Sequence, residues 1–223
     1  MNKIIVIPDV HGRTFWEKVL NNSENPIIFL GDYTDPYDYE GITHEEAIEN
    51  FKNITKFARA NPNVVLLFGN HDLHYLHSGW SCSRYSSKHK YQYKDIFLAN
   101  RDLFRMACKV DNYLFTHAGI SKDWVERNEL SFDEDPVVML DRAYQENPDI
   151  FMQYGRARGW GGYETGSPIW CDLEEHNHEE PVYNDLIQVF GHTQLEEEPF
   201  ITDYLMCLDC RKVFVLENGK LKE

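Results

Sequence analysis

The chain has 223 residues, a net charge of −15, 42% hydrophobic and 14% aromatic residues. That size and composition fit one large α/β domain with a sizeable core and exclude a disordered chain. The acidic balance disfavours a nucleic-acid partner, whose backbone needs Lys and Arg, but leaves open a small phosphorylated ligand in a local pocket.

The first predicted element is a short buried strand, Ile4–Ile7, ended by Pro8-Asp9. It is too short for a signal-peptide core, and no apolar run is long enough to span a bilayer, so a cytoplasmic protein without membrane contact is expected. A helix with Phe15, Trp16, Val19 and Leu20 on one face should follow, then a strand at Ile27–Leu30. Thr43-His44-Glu45-Glu46 has the form of a capping box. It opens a helix with the apolar stripe Ala47, Phe51, Ile54 and Ala58. Strands are expected at Val64–Phe68 and Tyr113–Thr116. Asp135-Pro136 reads as an N-cap followed by proline at the first helical position, with the helix stopping before Pro148. Residues 121–185, including a Gly- and Arg-rich stretch and an acidic loop, read as an insertion within a single domain over 1–223. Strands return at Leu186–Phe190, Tyr204–Leu208 and Lys212–Leu216, and Asn218-Gly219 marks a last turn.

Five of these strands end in polar residues of one kind. They are Asp9-Val10-His11, Gly31-Asp32-Tyr33-Thr34-Asp35, Gly69-Asn70-His71-Asp72, Thr116-His117-Ala118-Gly119 and Gly191-His192-Thr193. Ligands of α/β sheets bind at the carboxyl ends of strands. Mixed imidazole and carboxylate donors suit Mn, Fe or Zn better than an all-oxygen cage for Ca or Mg. Singly, each motif reads as an ordinary turn or a core histidine; in order, each after an apolar strand, together they read as a metal site. The other histidines are weaker signals. His74 and His77 fall on one stripe of a solvated or partly packed face, and His176 and His178 fall in a solvated acidic loop. Five cysteines and no export signal argue against a disulfide framework. Cys207-Leu208-Asp209-Cys210 has no second C-x-x-C to complete a zinc site and reads as strand residues.

These motifs resemble those of the calcineurin-like metallophosphoesterase superfamily: D-x-H, G-D-x-x-D, G-N-H-[DE], a later His, and G-H-x-H. The resemblance runs from Asp9 to His192. Gln194 stands where the second His of the last motif would be, as in the branch of Ser/Thr phosphoprotein phosphatases and diadenosine tetraphosphatases. The resemblance implies an α/β fold of two packed mixed sheets flanked by helices, a four-layer sandwich. It implies two divalent ions (Mn, Fe or Zn), one held by Asp9, His11 and Asp32, the other by Asp32, Asn70, His117 and His192. A metal-bridging hydroxide would then attack a phosphate monoester, with His71 as the acid and Asp35 orienting it. The substrate would be a small phosphorylated molecule or a phosphoprotein. A hydrolase of dinucleoside polyphosphates or phosphodiesters is the second reading, and a metal-binding scaffold with impaired catalysis the third. The branch's phosphate-holding Arg is replaced by Pro36, followed by Tyr37, so Arg13, Arg84, Arg156 and Arg158 are the candidate phosphate forks.

Overall fold

In the computed structural model, residues 3–21, 24–158 and 161–222 are described; Gly159 and Trp160 of the Gly- and Arg-rich stretch lie outside them. The strands run in chain order as β1 Ile4–Ile7, β2 Ile27–Phe29, β3 Val64–Leu67, β4 Phe104–Arg105, β5 Cys108–Val110, β6 Tyr113–Phe115, β7 Ile187–Phe190, β8 Phe200–Ile201, β9 Leu205–Cys207, β10 Phe214–Glu217 and β11 Lys220–Lys222. The α-helices are α1 His44–Ala60, α2 Asn70–Leu73, α3 Lys90–Ala99, α4 Lys122–Arg127 and α5 Pro136–Glu146. None of the described helices is long and apolar enough to cross a membrane.

The chain forms two compact units, one of residues 3–104 and 211–222, the other of Arg105–Cys210. The first is built on a mixed sheet in the order β11-β10-β1-β2-β3-β4. β1, β2 and β3 are parallel, and β10 returns antiparallel to β1 with Ile5 opposite Val215. All four residues of β1 are buried, as expected of a central parallel strand covered on both faces. The β10–β11 hairpin turns at Asn218-Gly219, whose φ values of 53° and 76° match the primed turns that two-residue hairpins need.

α1 begins with the expected capping box: Thr43 Oγ1 accepts from the Glu46 amide, and the Glu46 carboxylate accepts from the Thr43 amide. Its apolar stripe is buried, and Phe51 stacks on Tyr33 with ring centroids 5.1 Å apart. The segment after β1 is a 3-10 helix, Phe15–Val19, rather than an α-helix. Three residues per turn bring Trp16 and Val19 inward and leave Leu20 exposed. The Trp16 indole also donates to Asn50 Oδ1 (2.9 Å), which holds the ring in place.

The second unit carries a mixed sheet in the order β5-β6-β7-β9-β8. β6, β7 and β9 are parallel, with antiparallel edges. α5 starts where Asp135 accepts from the Val137 amide and Pro136 fills the first turn. Cys207 ends β9 and Cys210 lies just beyond it; both are buried and neither is in a disulfide.

Candidate metal centre and active site

In the first unit the parallel strands β1, β2 and β3 deliver their following loops side by side. Two glycines permit the approach. A Cβ on Gly69 would lie 2.0 Å from Asp32 Oδ1, and Gly31, at φ 113°, would place a Cβ 2.6 Å from the Gly69 amide. His11, Asp32 and Asp35 all have positive φ, between 45° and 54°. Such backbone is uncommon outside glycine and concentrates at functional sites.

Asp9, His11 and Asp32 are buried together, with one ligand atom of each within 4.8 Å of the others. His11 Nε2 lies 3.4 Å from Asp32 Oδ2, while its Nδ1 donates to the Thr34 carbonyl (2.9 Å). That hydrogen bond fixes the ring and turns Nε2 toward Asp32, the usual arrangement of a metal-binding imidazole. Two buried carboxylates in such proximity need a positive charge between them. The donor set therefore fits a divalent ion.

Asp32 is tied to the β3 loop, since the backbone amide of His71 donates to Asp32 Oδ1 (2.9 Å). The Asp72 carboxylate accepts from three amides, those of Asp32 (2.8 Å), Tyr33 (2.9 Å) and Gly69 (2.9 Å). Burial and neighbouring Asp32 push the Asp72 pKa up; the three donors oppose this and favour the anion. Asp72 is thus the clasp between the two loops, a role not assigned from sequence.

His71 Nδ1 donates to Asp35 Oδ2 across 2.8 Å, with both side chains buried. Burial, with His11 and Arg84 nearby, carries the His71 pKa well below its ordinary value despite Asp35, so without a bound anion the ring is neutral. Burial raises the Asp35 pKa, but contacts from His71 and His74 outweigh it and hold the carboxyl below its usual range. The Tyr75 hydroxyl donates to the other carboxylate oxygen, Oδ1.

His74 departs from the expected solvated face. It is buried, with Nε2 2.8 Å from Asp35 Oδ2, outside hydrogen-bond alignment, and Nδ1 2.9 Å from Cys82 Sγ. Asp35 and Cys82 thus hold the ring inward, whereas His77 is only half-buried. Asn70, also buried, has Nδ2 3.9 Å from the same sulfur.

The candidate phosphate forks separate clearly. Arg84, at φ 63°, anchors Nε on the Asp35 carbonyl (3.1 Å) and lays its guanidinium 3.8 Å from the Tyr37 ring centroid. Its Nη2 is 3.2 Å from His71 Nε2 and 3.5 Å from His11 Nε2. Arg13 is instead held by a two-pronged pair with Glu40 (2.8 and 3.0 Å) and by the Asp9 carbonyl. In the second unit, Arg156 forms an exposed pair with Glu164, and Arg158 lies 2.8 Å from Asp172.

The second unit places His117 and His192 after the neighbouring parallel strands β6 and β7. His117 Nε2 lies 3.1 Å from His192 Nδ1, and the Trp170 ring packs edge-on against His192. His176, expected in a solvated loop, is buried: Nε2 donates to the Ala118 carbonyl (2.9 Å), and the ring lies against Phe190. Burial lowers its pKa to about 4. Acidic neighbours in sequence concealed this, because Glu175 itself turns inward to accept from the amides of Ala157 and Gly166.

The family model for calcineurin-like phosphoesterases matches residues 2–195. This span takes in every strand-end motif from Asp9 to His192. The chain belongs to the calcineurin-like phosphoesterase family. Membership indicates a metal-dependent phosphoester hydrolase, in keeping with the Asp9–His11–Asp32 cluster. Among solved structures, a metallophosphoesterase from Sphaerobacter thermophilus is 14% identical, with 98% of this chain and 86% of that one covered and a TM-score of 0.45. A phosphopantetheinyl hydrolase from Mycobacterium tuberculosis is 14% identical, with coverage of 92% and 87% and a TM-score of 0.38. No curated protein matches the chain significantly.

Proposed function

We propose that this calcineurin-like phosphoesterase hydrolyses phosphate monoesters at a dinuclear centre, in the manner of the phosphoprotein phosphatases. The observation that supports it most is the His71 backbone bond to Asp32, which joins a buried metal-ligand cluster to a buried Asp–His pair. By the family pattern, Asp9, His11 and Asp32 would hold one ion, and Asp32, Asn70, His117 and His192 the other. Bound divalent ions would supply Lewis-acid polarisation of the phosphoryl group and activation of water near neutral pH.

The chain's own residues do the rest. Asp35 engages His71 through Nδ1, so Nε2 is the nitrogen that hands a proton to the leaving oxygen. Arg84 reaches the same Nε2 and serves as the phosphate fork in place of the Arg missing at Pro36. A dianion held there offsets Arg84 and His11, which raises the His71 pKa when a proton is needed. Gln194 in the last motif, with one His fewer, supports the phosphoprotein-phosphatase branch. Five cysteines, none in a disulfide, suit a reducing compartment such as the cytoplasm.

The test is a panel assayed with Mn: para-nitrophenyl phosphate, its bis ester, a phosphopeptide and diadenosine tetraphosphate. The proposal expects the two monoesters to be turned over fastest. Faster turnover of the bis ester or the tetraphosphate would assign a diester or dinucleoside polyphosphate hydrolase. No turnover of any would leave a metal-binding scaffold.

A further inference from the structure

Beside the ligand cluster stands a second group of donors that the proposed reaction does not use as ligands. Asp35, His71, His74 and Cys82 each offer one ligand atom, and these atoms all lie within 4.8 Å of one another. Cys82 Sγ is 2.9 Å from His74 Nδ1 and 3.5 Å from His71 Nδ1, and Asp35 Oδ2 is 2.8 Å from His71 Nδ1. A tetrahedral zinc ion with bonds of about 2.0–2.3 Å has donor–donor edges of roughly 3.3–3.8 Å, so small side-chain shifts would suffice. The three ligands besides Cys82 are buried, and His74 Nε2 has no aligned hydrogen-bond partner although the residue is only 3% exposed.

The donor chemistry separates this group from its neighbour. Asp9, His11 and Asp32 offer only nitrogen and oxygen, which suit Mn, Fe or Zn without a preference for thiophilic ions. A thiolate, two imidazoles and a carboxylate suit zinc or another thiophilic ion. We propose that Asp35, His71, His74 and Cys82 form an inhibitory site for zinc-like cations, which switches off the phosphoesterase by capturing its acid.

The inhibition follows from which atom is taken. Binding releases the Cys82 thiol proton to solvent and shifts the proton of neutral His71 from Nδ1 to Nε2. His71 is then a neutral, metal-bound imidazole, a far weaker acid than imidazolium. Asp35 is drawn off at the same time. His74 also lines a surface pocket with His77, Trp80 and Tyr85, which supplies a path of entry. The inhibitory role rests on His71 being the acid of the proposed function; the cation site itself does not.

Two measurements keep these apart. Co(II) added to the Mn-loaded protein should produce a near-ultraviolet thiolate-to-cobalt band. Cys82→Ser should abolish the band, and His74→Gln should weaken it. In the same samples, zinc should inhibit para-nitrophenyl phosphate turnover. Cys82→Ser should leave zinc-free turnover unchanged while raising the zinc concentration for half-inhibition at least tenfold. No band, or a band that survives in Cys82→Ser, overturns the site. A Cys82-dependent band with zinc inhibition unchanged in Cys82→Ser keeps the site and overturns the regulation. A Cys82-dependent band in a protein that turns over no phosphoester keeps the site and rejects the proposed function.

Discussion

His71 reaches Asp35 through Nδ1 at 2.8 Å while its own backbone amide holds Asp32 Oδ1 at 2.9 Å. One residue thus links the Asp–His pair to the metal-ligand cluster. Its side chain and its backbone do separate work, and a substitution that spares the backbone separates them. His71→Asn should lower kcat by about 10²–10⁴-fold, the usual contribution of a general acid. Metal content by elemental analysis should stay near that of the parent protein. Loss of metal in this variant would instead make His71 a ligand.

Arg84 rests on Tyr37 and points two ways, toward His71 and toward His11. Arg84→Ala should raise KM and lower kcat/KM for para-nitrophenyl phosphate by roughly 10–100-fold, the loss of one charge-assisted fork. Arg84→Lys should recover only part, because an ammonium lacks the planar fork and its stacking on the ring. The same truncation of Arg13, Arg156 or Arg158, each already paired with a carboxylate, should leave KM within about twofold.

Asp72 accepts from the amides of Asp32, Tyr33 and Gly69 with its two oxygens. Asp72→Asn keeps one acceptor and turns an NH₂ group toward at least one buried amide. The expected cost is about 1–3 kcal/mol in urea unfolding, the penalty for an unsatisfied buried donor. Metal affinity should fall with it, since Asp32 loses its clasp. Unchanged stability and metal affinity would deny Asp72 this role.

How much of this was legible in the sequence follows from how local each signal is. The caps at Thr43 and Asp135 and the strand ends at Asp9, Asp32, Asn70, His117 and His192 are written in adjacent residues and stand where expected. The pairing of β10 with β1 is not, because it joins residues more than two hundred positions apart without a turn signal. Nor is the segment from His74 to His89, which lacks either helical or strand period. There the positive φ of Arg84, the Cys82 thiol against His74, and the Ser86 amide on the Tyr75 hydroxyl define the geometry. Nor is α3, because exposed Tyr91 and Leu98 blur the buried face of Tyr93, Ile96 and Phe97.

His176 gives a pH test in the second unit. Burial holds its folded pKa at about 4, against 6.5 for the ordinary side chain. Between those values the unfolded chain binds the proton and the folded protein does not. The stability contributed by neutral His176 is therefore present above about pH 6.5 and is lost as pH falls toward 4, by about 2–3 kcal/mol. His176→Gln should flatten the unfolding free energy across that window. An identical acid slope in the variant would assign it to other groups.

The most direct test of a buried metal centre at the strand ends is Asp32→Asn, reconstituted with Mn, dialysed, and measured for bound metal and phosphomonoester turnover together. Metal content well below that of the parent protein, with turnover down at least 10²-fold, is the result expected of a carboxylate that holds the ions. Full metal content with turnover intact would contradict it.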